Sequence, residues 1–274
     1  MPVIDGALGY HILRTIAPAE PGGMNGSSYA GRSKVAALFG PEVWSQIRNR
    51  TVVDFGCGPG AEAIELAQRG ARQVYGIDIL DRWLELAKEN AARASCRNVV
   101  FGKVPPEPAD VIISIDAFEH FSDPAAILAA MAGMLKPDGC VLACFGPTWY
   151  HPLGGHLFSV FPWAHLIFGE TALCRWRSHI RNDGAKKFCE VEGGLNKMTI
   201  RRFEQLVASS PLRLEHMDAI PIRPVRKLHN RLTREFFTAV VRCKLTRRTP
   251  GIPDCHTNHL RTPLPAVTTL SGCL

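Results

Sequence analysis

Residues 54–60 read Asp-Phe-Gly-Cys-Gly-Pro-Gly and close a short apolar run, Thr51 to Phe55. Glycines at alternate positions, Gly56, Gly58 and Gly60, let a chain turn sharply and bring bare backbone against a ligand. A helix that starts directly behind them adds N–H groups with no partner in the chain. Asp78 stands 22 residues after Gly56, at the end of the next apolar run. A carboxylate there can accept hydrogen bonds from both hydroxyls of a ribose.

These features alone suit two cofactors, because Gly56, Gly58 and Ala61 also satisfy the dinucleotide spacing G-x-G-x-x-G/A. Asp54 discriminates. A carboxylate just ahead of the glycines repels a pyrophosphate. It favours S-adenosylmethionine, which carries a sulfonium and an ammonium and no phosphate. The competing readings are an NAD(P)-dependent oxidoreductase and an S-adenosylmethionine-binding protein without turnover.

A second group of residues, Asp116-Ala117-Phe118-Glu119-His120, follows a later apolar run. In an open α/β sheet, ligands bind beyond the carboxyl ends of the strands where the strand order reverses, so this loop is expected to face the glycine loop. His120 is the candidate general base, since imidazole titrates near neutrality; its alternative role is to hold the loop. Asp116 either binds the methionine end of the cofactor or ends the strand, and Glu119 reads as loop-stabilising. Methyl transfer from a sulfonium is an in-line displacement, so a protein supplies mainly alignment, dryness and at times a base. On the acceptor side, Gly146 to His156 offers Tyr150, His151 and His156. Leu157 to Phe168 then reads as an apolar lid helix, too short for a bilayer, which needs about 20 residues. Weak contact with a membrane surface is its lesser reading. A lid of this kind suits an apolar or aromatic acceptor.

The elements that must position these groups alternate. Strands are read at Thr51–Phe55, Gln73–Asp78, Val99–Val104, Ala109–Asp116 and Cys140–Phe145, with helices between them. One helix runs from Ala61 to Arg69; Asp81 caps a second, with Trp83, Ala87, Ala91 and Ala94 on one face; Asp123-Pro124 starts a third. Continuously apolar strands in such an alternation make a parallel sheet covered on both faces. Gly139 to Gly169 contains no Lys, Arg, Asp or Glu and reads as the start of an insertion. Thr199–Ala208 is read as a helix, and Leu212–Ile222 and Glu235–Leu245 as strands. The expectation is a doubly wound, mostly parallel seven-stranded α/β sheet with an insertion after the fifth strand. Residues 1–28, around PAEPGGMNGSS, are expected to form a flexible lead-in; 29–246 the catalytic domain, with 146–195 as insertion and lid and the expected acceptor site; 247–274 a disordered tail.

Composition adds bounds. The chain has 274 residues and a formal net charge of +7. Residues 1–150 hold 13 Lys/Arg against 16 Asp/Glu, and residues 151–274 hold 19 against 9. A basic half suits a solvated face, nucleic acid, an anionic membrane or an acidic substrate. No nucleic-acid module accompanies it, so a small-molecule acceptor is expected and nucleic acid is not. Nine cysteines at irregular spacing, with no CxxC pair, read as reduced thiols of a cytoplasmic protein with no metal site. The N-terminal stretch lacks the pattern of a signal peptide.

VVDFGCGPG resembles motif I of the class I S-adenosylmethionine-dependent methyltransferases, and YGIDI their second motif. SIDAFEHFSDP, followed by MLKPDGCVL, is similar to the small-molecule group that includes the ubiquinone and menaquinone biosynthesis enzymes. The resemblance is strong over residues 29–146 and looser over NKMTIRRFEQLV and the last two strands. It implies that Gly56, Gly58 and Gly60 line the methionine end, that Asp78 binds ribose and that Ile79 packs on adenine. It also implies an antiparallel seventh strand, here Glu235–Leu245. One departure stands out: the acid that often follows the third strand in that family, to hold the adenine amino group, has no counterpart in Phe101-Gly102-Lys103.

Overall fold

A strand that is apolar without interruption must be covered on both faces, and Thr51–Phe55 is buried at all five positions. The computed structural model describes residues 2–17, 31–181, 183–191 and 193–248. Among these residues, α1 (Gly6–Ile16), α2 (Lys34–Phe39) and α3 (Val43–Ile47) precede that strand. The alternating part follows as β1 (Thr51–Phe55), α4 (Ala61–Gln68), β2 (Gln73–Ile77), α5 (Asp81–Arg93), β3 (Val99–Gly102), β4 (Ala109–Ile115), α6 (Pro124–Met134) and β5 (Leu135–Phe145). The insertion carries α7 (Ala164–Ile167) and α8 (Glu170–Arg177). Beyond it come α9 (Ile200–Ala208), β6 (Leu212–Pro221), α10 (Arg234–Phe237) and β7 (Thr238–Arg247).

The strands form one seven-stranded sheet in the order β3-β2-β1-β4-β5-β7-β6. The pairs β1·β2, β1·β4, β2·β3 and β4·β5 are parallel, and β7 runs antiparallel to both β5 and β6. The order reverses at β1, between β2 and β4. Adjacent residues point to opposite faces: Val52 and Ile113 join a core under α4 and α5, while Val53 and Ile112 join a core under α6 and α9. Asp123 caps α6 through the Ala125 and Ala126 N–H groups, and Thr199 caps α9 through the Arg202 N–H. Arg242 of β7 is almost fully buried; it pairs with Asp218 of β6 at 2.6 Å and donates to the Leu38 carbonyl of α2 at 3.1 Å.

Several expectations give way. Part of the lead-in is a helix: Asp5 caps α1, Leu13 is fully buried, and the Trp176 indole N–H of α8 donates to the Ala17 carbonyl. Glycine and proline around it mask a short apolar stripe that a separate core, formed with α8, needs. The lid helix is absent; a 3-10 turn, His156–Phe158, and α7 stand in its place, because Pro162 and Trp163, with φ +64°, break the run. Leu80, not Asp81, is the cap of α5, since Asp78 already takes the Leu80 N–H at 2.9 Å. β5 begins at Leu135, with Lys136–Gly139 as an irregularity in its ladder with β4. Glu235 lies in α10, so β7 starts three residues later than expected. The tail from residue 249 and residues 18–30 lie outside the described residues. Among those described, no helix is long and apolar enough to cross a membrane.

Candidate functional site

The glycine loop joins β1 to α4 at the point where the sheet order reverses. Gly56, Gly58 and Gly60 all have positive φ, at 81°, 49° and 82°. Gly60 has a second constraint: a Cβ there would lie 2.8 Å from the Phe101 ring and 2.9 Å from Ala87 Cβ. The loop is pinned from β2, since the Gly56 and Cys57 N–H groups donate to the Ile77 carbonyl at 2.8 and 3.0 Å. Asp78 accepts the Gly58 N–H at 3.0 Å. It therefore organises the loop as well as offering a carboxylate beside it. Ile79, next along, is 85 % exposed.

The loop after β4 faces the glycine loop, as the topology requires: a Cβ on Gly56 would stand 3.3 Å from Ala117 Cβ. Asp116 takes a left-handed conformation, φ +51°, and its N–H donates to the Cys144 carbonyl. Its carboxylate meets Lys34 of α2 at 2.9 Å, and Lys34 also approaches Glu62 at 3.7 Å. Burial alone would lower the Lys34 pKa, but Asp116 and Glu62 outweigh it and raise it. Asp54 lies beneath this group, with Oδ2 buried and unbonded. Burial, then repulsion from Glu62, pushes its pKa up to about 8. Lys34 and Glu62 carry no motif signal; only the fold brings them to the loop.

On the other side of the β4 loop, His120 Nδ1 lies 2.8 Å from the Gly194 carbonyl. That bond requires a proton on Nδ1 and leaves Nε2 as the basic nitrogen. Glu119 is buried and accepts the Gly146 N–H at 3.3 Å, while its Oε2 is unbonded. Burial, then Asp116, raises its pKa to about 8.

The acceptor-side candidates separate. His156 packs its ring edge-on to His120, with centroids 5.2 Å apart, and has an unbonded buried Nε2. Burial, then His120, lowers its pKa to about 4. Glu119, His120 and His156 have ligand atoms within 4.8 Å of one another, a donor set of one carboxylate and two imidazoles. His151 instead accepts the Leu153 N–H at 2.9 Å and holds its own turn. Tyr150 turns toward Phe236, with ring centroids 5.4 Å apart. Sequence reasoning placed residues 188–195 in the insertion on the acceptor side but named none of them; Gly194 lies against His120, and Asn196 donates to the Phe118 and Phe121 carbonyls.

A family model for the methyltransferase domain matches residues 28–206. The chain belongs to this family, the class I S-adenosylmethionine-dependent methyltransferases. Membership displaces the oxidoreductase alternative. The ubiquinone biosynthesis O-methyltransferase of Neisseria meningitidis serogroup C is 36 % identical over 105 residues, covering 35 % of this chain and 44 % of that protein. The enzyme of the same name from Leptothrix cholodnii is 38 % identical over 98 residues, covering 33 % and 41 %. The match thus spans less than half the length of these relatives. An S-adenosylmethionine dependent methyltransferase from Listeria monocytogenes shares the fold, with TM-score 0.50 and 17 % identity over 74 % of this chain and 93 % of that one. A chain of the Haloferax volcanii complex between a methyltransferase activator and a methyltransferase does so with TM-score 0.51 and 15 % identity, over 82 % and 95 %.

Proposed function

We propose that this chain transfers a methyl group from S-adenosylmethionine to a small acceptor, aromatic or apolar in its body, held between the β4 loop and the insertion. The observation that carries this reading is the acid set Asp54, Glu62 and Asp116 around the glycine loop, with Asp78 on its edge. A buried carboxyl with a pKa near 8 ionises readily once a cation is brought to it. A pyrophosphate would meet the same acids as repulsion. When bound, the sulfonium supplies an activated methyl group.

The residues would divide the work. Gly56, Gly58 and Gly60 present backbone to the methionine end, Asp78 takes the ribose hydroxyls, and Ile79 offers an exposed apolar face for adenine. Lys34 supplies a cation for the cofactor carboxylate and Asp116 an anion for its ammonium. His120, with Nδ1 engaged at Gly194, uses Nε2 to take the proton from an acceptor hydroxyl. Of the three acceptor-side candidates, His156 is the one beside His120. Tyr150 and His151 support the loop from its far side. The unit carrying the activity is residues 29–246, with 146–195 on the acceptor side. A cytoplasmic location completes the reading, supported by the unpaired cysteines among the described residues.

Calorimetric titration tests it. S-adenosylmethionine and S-adenosylhomocysteine should bind at micromolar level and NADH should not, and Asp78→Ala should weaken binding by roughly two orders of magnitude. Absence of binding by either sulfur compound overturns the reading. Binding without methyl transfer to any phenol, catechol or amine acceptor favours the binding protein without turnover.

A further inference from the structure

The basic surplus of residues 151–274 has no role in the cofactor site. Part of it converges elsewhere. Beside His120 lies a cavity of about 360 Å³, roofed by Lys187, Cys189 and residues 194–197 and walled by α8 and the start of α9. Lys187, Lys197 and Arg202 line it and, among the described residues, one carboxylate, Glu170. Its volume lies in the range of small-ligand sites, roughly 300–1,000 Å³, and is enough for one substituted ring.

We propose that this cavity binds an anionic group of the acceptor, a carboxylate or a phosphate, and so selects acidic acceptors; the proposal rests on the methyltransferase reading above. Lys197 is the anchor. It holds a left-handed backbone, φ +59°, which costs a residue with a Cβ conformational energy and persists where the surroundings enforce it. The enforced geometry sets its ammonium 5.6 Å from the Trp149 ring centroid, 5.0 Å from that of Phe188 and 3.6 Å from Glu170. Cation–π contact holds the ammonium at the wall without neutralising it. Arg202 is steadied by the Asn196 carbonyl, which occupies one of its five donors. Among the described residues the lining is therefore two positive charges in excess, in a concave site where field lines concentrate. His120 forms part of the same wall, so an acceptor anchored by its anion at Lys197 brings its other end toward His120 and the β4 loop.

The test reads binding without turnover. Benzoate, phenyl phosphate and neutral benzamide are titrated into the full chain, followed by tryptophan emission and ligand-observed NMR. At least one anion should bind about tenfold more tightly than benzamide, and comparison of the two anions identifies carboxylate or phosphate as the preferred group. Lys187→Gln combined with Lys197→Gln should weaken that anion roughly tenfold, Lys197→Arg should retain it, and S-adenosylhomocysteine affinity should stay as in the parent. The last measurement also verifies that the variants fold. Equal binding of the anions and benzamide, or anion binding untouched by loss of both lysines, overturns the proposal. Failure of S-adenosylhomocysteine to bind the parent chain would instead overturn the cofactor reading, and is read separately.

Discussion

Lys34 Nζ lies 2.9 Å from Asp116 Oδ2, so a helix that precedes the first strand reaches the loop that follows the fourth. The pair joins the two sides of the cofactor site. If Lys34 serves the cofactor carboxylate, Lys34→Met should weaken S-adenosylhomocysteine by about 10- to 100-fold, the range for one charge-assisted hydrogen bond. 5′-Methylthioadenosine, which lacks the amino acid moiety, should bind parent and variant alike. Equal losses for both ligands would show that Lys34 only supports the fold.

Two glycines of the loop should respond differently to alanine. At Gly58 a Cβ meets nothing within 4 Å, so Gly58→Ala adds left-handed strain of about 1–2 kcal/mol and leaves the fold intact while its methyl obstructs the cofactor. At Gly60 the same strain is joined by contacts of 2.8 and 2.9 Å with Phe101 and Ala87, which should cost about 1–3 kcal/mol more. Thermal melts should thus fall further for Gly60→Ala than for Gly58→Ala, with cofactor affinity reduced in both. The reverse order of melting points would contradict the packing argument.

Asp54 and Glu119 set an alkaline limit on stability. Both carboxyls titrate at about 8 in the folded chain, well above their unfolded range, so the folded chain binds more protons between those values. Stability from the protonated carboxyls is full in the acid range and is lost as pH rises toward about 8. The double variant Asp54→Asn, Glu119→Gln should show a shallower fall in melting temperature between pH 6 and roughly 8.5. Parallel curves for parent and variant would refute the assignment.

His156 acts in the opposite direction. Its folded pKa of about 4 lies below the ordinary value of histidine, so the unfolded chain takes up the proton first and stability is lost as pH falls from about 6.5 toward 4. Asparagine tolerates the left-handed backbone found there, φ +52°, and carries no titrating proton. His156→Asn should move the midpoint of acid unfolding to lower pH, followed by far-ultraviolet circular dichroism. An unchanged midpoint would remove His156 from the acid response.

What could be read from sequence was what is local. β1, β4 and the glycine loop announce themselves because each is a contiguous pattern, and Asp54 and Asp78 belong to the same run of chain. Lys34 and Glu62 were not legible, because an ion pair between residues 34 and 116 leaves no trace in spacing. The role of Asn196 beside His120 was not legible for the same reason: it reaches back to the Phe118 and Phe121 carbonyls across more than seventy residues. The misplaced start of β7 has a tertiary cause as well. Glu235 accepts the Ile200 and Arg201 N–H groups and so caps α9 from another element, a duty that periodicity does not reveal. The lead-in helix was hidden because its stripe pays off only against α8, which lies far along the chain.

The sheet order has a consequence for how the molecule is born. β6 is synthesised before β7, yet it pairs with the sheet only through β7. Until residues 238–247 have emerged from the ribosome, β5 presents a bare edge and the Leu38 carbonyl lacks the guanidinium of Arg242. A long-range pairing of this kind is a slow step in folding. The glycine loop can form early from neighbouring chain, but the helix that brings Lys34 to it gains its Arg242 contact only after residues 238–247 have emerged, so the cofactor site is completed later than the loop at its centre.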